Sequence, residues 1–164
     1  MNVLLVRHAQ AVSPELAPSD SLRWLTAEGR RTMRGVAARI RDEGVTLTRI
    51  FTSPLVRAAQ TAEILASPQD AAVEVEVWPP LAGGTTAQAL AALDRVQDGA
   101  TVALVGHEPA MRAMAARVTG HGDFPGFRTA GACLTRWEGD RGELVWLLDP
   151  RTLTRIEDIG GYEP

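Results

Sequence analysis

The 164 residues predict an α/β fold with a mostly parallel central sheet and an antiparallel strand pair near the C-terminus. Short apolar runs, Val3-Leu4-Leu5-Val6 and Thr101-Val102-Ala103-Leu104-Val105, have the length and composition of strands covered on both faces. They alternate with segments whose apolar residues recur at helical spacing, which implies right-handed crossovers between parallel strands. Open α/β sheets place their ligands at the carboxyl ends of the strands. Polar residues stand at those ends here.

The first strand ends abruptly in Arg7 and His8. A guanidinium beside an imidazole suits an anion that is gripped and attacked, and the alternative is that Arg7 caps a strand edge while His8 bonds locally. Residues 9–24 have no period and read as a long loop, a kind of segment that often serves function. Thr26 is a fitting N-cap for a helix carrying Met33, Val36, Ala37 and Ile40, with Gly44 as its stop. Gly29 in its first turn points to close packing. The second strand, residues 49–52, runs into Ser53 and Pro54, expected as N-cap and first helical residue. Arg57 then falls in the first turn, where the helix dipole disfavours a cation unless an anion binds there; a solvated side chain is the alternative.

Residues 72–78 alternate apolar and acidic, as in a strand with one wetter face near a sheet edge. Thr85 or Thr86 is expected to cap a helix through Ala89, Leu90 and Leu93 that ends near Gly99. The strand at 101–105 exits into Gly106-His107-Glu108-Pro109, and Pro109 opens a helix with Met111, Met114, Ala115 and Val118 that ends at Gly120. Residues 121–131 are irregular. Two strands, 133–137 and 144–148, are joined through Gly139-Asp140-Arg141-Gly142 as an antiparallel pair. The tail from Arg151 is ambiguous. One domain over residues 1–164 is expected, without internal repeats.

Composition narrows the function. A net charge of −3 offers no broad basic field for nucleic acid. All 17 basic side chains are arginine, which excludes a lysine Schiff base or a P-loop. Cys133 is the single cysteine, so no intrachain disulfide forms. No stretch approaches the ~20 apolar residues of a membrane span, and a cytoplasmic protein is expected.

On one rim, Arg7, His8, Arg57 and His107 would form a pocket for a tetrahedral anion such as phosphate. His8 would attack phosphorus, and Arg7, Arg57 and His107 would stabilise the equatorial oxygens. Glu108 has a structural role open to it, at a helix N-terminus with Arg112 four residues on, and also a chemical one. Asp20 in the first loop is a weaker acid candidate. His121 reads as surface and Cys133 as core. Trp24 and residues 124–127 fit either a pocket mouth or core packing.

These residues resemble a family. Arg7-His8, Ser53-Pro54-Leu55-Val56-Arg57-Ala58-Ala59-Gln60-Thr61-Ala62 and Val105-Gly106-His107-Glu108 are similar to the histidine phosphatase superfamily, of the phosphoglycerate mutase-like fold. The short chain and Arg23-Trp24-Leu25-Thr26-Ala27-Glu28-Gly29 look most like its SixA-like phosphohistidine phosphatase branch. The resemblance implies a three-layer α/β/α sandwich and a phosphoenzyme intermediate on His8. It also implies a phosphate pocket of Arg7, Arg57 and His107, with no metal and no cofactor. Ala9 departs from the glycine usual after the nucleophile, which a negative φ tolerates. Mutase-like members carry a glutamate after the third strand, whereas here that loop reads Leu81-Ala82-Gly83-Gly84; acid-phosphatase-like members carry their acid where Glu108 stands. An alcohol leaving group needs a delivered proton, while a phosphorylated imidazole is protonated in advance near its pKa of about 6.5. The expected substrate is therefore a phosphohistidine in a phosphorelay protein, such as a histidine-phosphotransfer domain. The alternatives are a small phosphorylated metabolite hydrolysed with Glu108 or Asp20 as general acid, and a non-catalytic phosphate-binding module.

Overall fold

The computed structural model of the protein describes residues 1–69, 72–97, 99–138 and 141–164. The strands are β1 (Asn2–Arg7), β2 (Arg49–Thr52), β3 (Glu74–Val77), β4 (Thr101–Gly106), β5 (Ala132–Glu138), β6 (Arg141–Asp149) and β7 (Thr154–Ile156). The α-helices are α1 (Ala27–Asp42), α2 (Val56–Ala66), α3 (Thr86–Leu90) and α4 (Ala110–Thr119). One sheet holds the strands in the order β3-β2-β4-β1-β5-β6-β7. The first four run parallel, and β5, β6 and β7 are added antiparallel.

Strand alternation explains the layers. In β1, Leu4 and Val6 point to one face and Val3 and Leu5 to the other, and all four are fully buried. The first pair packs with Met33, Val36 and Ile40 of α1 and Ala58, Ala62 and Leu65 of α2. The second packs with Ala89 of α3 and Met111 and Met114 of α4. Burying each such Leu, Val or Met side chain stabilises the fold by roughly 1.5–3 kcal/mol. The result is three layers, helices on both faces of the sheet.

Register sets the rim. Arg7 pairs with Gly106, and Thr52 with Val105, so β1, β2 and β4 end at one level. Because β5 runs the other way, with Ala132 opposite Val6, the segment before it starts from the same rim.

Several boundaries differ from the sequence expectation. Helix α2 starts at Val56 with Leu55 extended before it, because the Ser53 side chain is drawn to His107 instead of capping the helix. Thr85 and Gln88 form a capping box, but α3 ends at Leu90 and continues as a 3-10 turn over Ala91–Arg95. That tighter turn lines Ala92 up with Ala89, and both are buried on one side. The C-terminal tail contributes β7. Gly139 and Asp140 of the expected tight turn lie outside the described residues, and Glu138 pairs with Arg141 on either side of them. Strand β3 lies at the sheet edge, with Val75 and Val77 exposed and Glu74 bound to Arg49 at 2.5 Å.

Thr26 caps α1 by accepting the Gly29 N–H at 2.9 Å, and Gly44 ends it at φ 76°. Gly29 sits directly under the loop: a Cβ there would lie 2.2 Å from the Gln10 carbonyl oxygen, which also accepts the Thr26 N–H. Gly29→Ala therefore loses more than its helix propensity returns, with an expected destabilisation of about 1–3 kcal/mol. Urea unfolding checks this, and an unchanged or higher midpoint would contradict the contact.

Candidate active site

His8 and Ser53 prolong β1 and β2 by one residue each, donating their N–H groups to Gly106 and Val105 at 3.0 Å. His107 follows β4 directly. The rings of His8 and His107 come to 5.0 Å between centroids, tilted by 54°. Arg7 and Arg57 lie close enough that their charges act on both rings. The structure thus brings together the four residues that the sequence assigned to one rim.

Each group has a defined orientation. His8 Nδ1 is 2.7 Å from the Ala9 carbonyl oxygen. A carbonyl only accepts, so Nδ1 carries the hydrogen and Nε2 holds the lone pair. Burial, followed by the neighbouring His107, Arg57 and Arg7, lowers the His8 pKa from 6.5 to about 4. His107 Nε2 is 2.7 Å from the Ser53 hydroxyl oxygen, which also accepts the Leu55 N–H at 3.3 Å. The Ser53 hydroxyl can donate to Nε2 or accept from it, and the reading with the Ser53 hydrogen on Nε2 places the hydrogen of His107 on Nδ1. Burial, then the charge of Arg57, brings His107 to about 4 as well.

The two arginines are held from behind. Arg7 donates from Nη1 to the Phe127 carbonyl at 2.6 Å. Arg57, only 7% exposed, donates from Nη1 to the Asp20 carbonyl at 2.7 Å and from Nη2 to the Asp20 carboxylate at 3.1 Å. This leaves Arg7 Nε, Arg57 Nε and His107 Nδ1 buried without a hydrogen-bond partner. A buried donor lacking an acceptor costs about 1–3 kcal/mol. Two buried guanidinium N–H groups without acceptors, close to the paired rings of His8 and His107, suit an oxyanion, and two fixed guanidinium groups repel a metal cation.

One face of α2 fastens the loop that follows His8. Arg57 holds Asp20, Gln60 accepts the Leu25 N–H at 2.8 Å, and Thr61 accepts the Ala9 N–H at 3.1 Å. Positions 57, 60 and 61 share a helix face, which is why these residue types stand at this spacing. Ala9 itself is fully buried and is not among the residues with positive φ.

The two candidate acids are both engaged as acceptors. Arg23 and then Arg57 hydrogen-bond the Asp20 carboxyl and hold it below the usual carboxylate range. Glu108 accepts the Phe127 N–H at 2.8 Å and the Arg112 backbone N–H at 3.4 Å. The expected side-chain pair between Glu108 and Arg112 does not form, because the carboxylate turns to these backbone groups. His121 is exposed and Cys133 is buried in β5. Trp24 is 40% exposed, and Phe124 and Phe127 stack in the core at 5.4 Å.

Three contributors were not assigned from the sequence: Ser53 as the partner of His107, Thr61 as the anchor of Ala9, and the Phe127 backbone as the anchor of Arg7. Ser53 and Thr61 lie inside the segment 53–62, and their polar type at buried positions was the available signal. A backbone carbonyl leaves no mark in side-chain identity.

Residues 3–82 match the histidine phosphatase superfamily (branch 1). The chain is 31% identical over 164 residues to phosphohistidine phosphatase SixA of Escherichia coli (strain K12), covering 97% of this chain and 100% of that protein. It is 36% identical over 128 residues to an uncharacterized protein of Picosynechococcus sp. (strain ATCC 27264 / PCC 7002 / PR-6), covering 74% of this chain and 77% of that one. The structure is similar to that of the protein histidine phosphatase SixA complexed with tungstate, with a TM-score of 0.85 and 28% identity over 94% of this chain and 100% of that chain.

Two pH responses follow. In an NMR titration of the free protein, both ring systems should stay neutral down to about pH 4. A midpoint near 6.5 would contradict their burial beside two arginines. The unfolded chain binds protons at 6.5 and the folded one near 4, so stability should fall as pH drops through that window and hold above it.

Proposed function

Because the chain belongs to the histidine phosphatase superfamily, we propose that it is a phosphatase that removes the phosphoryl group from a phosphorylated histidine of another protein, passing it through its own His8. The observation that carries this reading is the His8 ring, its Nδ1 held by Ala9 and its Nε2 free to attack, set beside His107, Arg7 and Arg57, whose Nδ1 and two Nε atoms are buried without partners. The kinship with a SixA structure that holds tungstate, a tetrahedral oxyanion, supports a pocket of the same kind.

His8 Nε2 attacks phosphorus, and the Nε2–P bond forms as the bond to the substrate imidazole breaks. That imidazole, protonated beforehand on its other nitrogen, departs neutral. Arg7 Nε, Arg57 Nε and His107 Nδ1 donate to the equatorial oxygens as their charge is redistributed. A water oxygen then bonds to phosphorus as the Nε2–P bond breaks, and both water hydrogens leave with the phosphate. His8 has kept its Nδ1 hydrogen, held by Ala9, and so also departs as a neutral imidazole.

The site offers no free proton donor. Asp20 is held as a carboxylate, and both Glu108 oxygens accept backbone N–H groups. An alkyl phosphate needs a delivered proton and a phosphohistidine does not, which favours the phosphohistidine over a small phosphorylated metabolite. An available nucleophilic lone pair argues against a purely binding role. Among the described residues no helix is long and apolar enough to cross a membrane.

A substrate pulse followed by mass spectrometry should find acid-labile phosphate on His8 and none in His8→Ala; phosphate that persists in the variant would overturn the mechanism. In a substrate panel, phosphohistidine and phosphoramidate should exceed alkyl phosphate in kcat/KM by at least about 100-fold, the scale of a missing general acid. Asp20→Asn should slow every substrate by a similar factor, since it acts through Arg57. A loss confined to alkyl phosphate would make Asp20 the acid.

A further inference from the structure

A cleft of about 840 Å³ adjoins the phosphate pocket without being part of it. Arg7 lines it, whereas His8, Arg57 and His107 do not. Its walls bring Arg7, Arg112, Arg128 and Arg151 together with Glu28 and Glu108. Among the charged side chains lining it, four guanidinium groups outnumber two carboxylates, and Glu108 is turned toward two backbone N–H groups.

Those cations are arranged, not scattered. The Asp149 carboxylate, 7% exposed, accepts from Arg151 Nη2 at 2.9 Å and from Nε at 3.3 Å. The same carboxylate lies 4.0 Å from Arg128 Nε, which is buried and has no hydrogen-bond partner. The Glu163 carbonyl accepts from Arg128 Nη2 at 3.1 Å. Arg112 sends its backbone N–H to Glu108, while its guanidinium has no hydrogen bond or ion pair among the described residues. One guanidinium is thus fixed, one is fixed with a donor to spare, and one is free. Such an array matches a carboxylate, which takes two parallel N–H groups at once. The space exceeds what an inorganic ion needs, and Arg7 forms the wall shared with the pocket.

We infer that this cleft is a subsite for an acidic side chain of the protein that carries the phosphorylated histidine, read while the neighbouring pocket takes the phosphoryl group. The inference rests on the phosphohistidine reading and adds a specificity to it: an acidic residue close to the phosphohistidine marks the preferred substrate.

Two synthetic phosphohistidine peptides test it, one with glutamates flanking the phosphohistidine and one with glutamines. At low salt the glutamate peptide should have a kcat/KM roughly tenfold higher, carried by KM. Salt near 0.5 M should close most of that gap, because the partners are partly exposed. Arg112→Glu and Arg151→Glu should each narrow the ratio. Arg136→Glu should leave it unchanged, since Arg136 pairs with Asn2 at the opposite end of β1. Equal kcat/KM for the two peptides in the wild type, or a ratio that survives both cleft substitutions, overturns the subsite alone. Turnover of phosphoramidate with neither peptide accepted overturns the phosphohistidine reading and the subsite with it.

Discussion

Strand β1 pairs with β4 so that Arg7 stands opposite Gly106, and one residue further on the two strands release His8 and His107 side by side. Everything chemical in the molecule inherits that alignment. A slip of one residue would turn Leu4 and Val6 to the wrong face and exchange the layers they pack against, at a cost of several buried side chains. The apolar interior therefore enforces the placement of polar groups that contribute nothing to it. Helix α2 then adds Arg57 from the side, and its neighbours Gln60 and Thr61 tie down the chain leaving the nucleophile.

Three of the cations, Arg7, Arg57 and Arg151, share one construction. Each has part of its fork committed to an acceptor behind it: the Phe127 carbonyl for Arg7, Asp20 for Arg57, Asp149 for Arg151. A guanidinium held in this way loses little freedom when an anion arrives, so its interaction with developing charge is not spent on ordering the side chain. The backbone shows a related economy next to His8. Ala130 adopts φ 66°, a left-handed conformation costly for an alanine, and from it donates its N–H to the His8 carbonyl at 3.1 Å. Strain of that kind persists where the surroundings over-determine it, as they do at a functional rim.

The sequence was most legible where one physical rule dominates. Fully apolar runs marked β1 and β4, periodicity and Thr26 marked α1, and the abrupt change from apolar run to Arg7-His8 and to His107 marked the rim. Legibility failed where two demands compete for one residue. Ser53 has the chemistry of an N-cap and the position of a histidine partner, and the second demand prevailed. Glu108 was matched with Arg112 by helix spacing, yet the unpaired N–H of Phe127, distant in the chain, was the better partner. Residues 121–131 lack a period because their task is carried by backbone groups, and β7 was hidden because three residues at a sheet edge carry too little pattern.

The absence of lysine gives the arginine rim a consequence of its own. Guanidinium groups keep their charge across the whole range in which proteins stay folded, and the two imidazoles beside them are already uncharged well into mild acid. The pocket is therefore an electrostatic constant near neutrality. Whatever acidity dependence its turnover displays between mild acid and mild base is written by the ionisation of the incoming phosphoryl compound and its leaving group, and the protein acts as a fixed background against which that titration is seen.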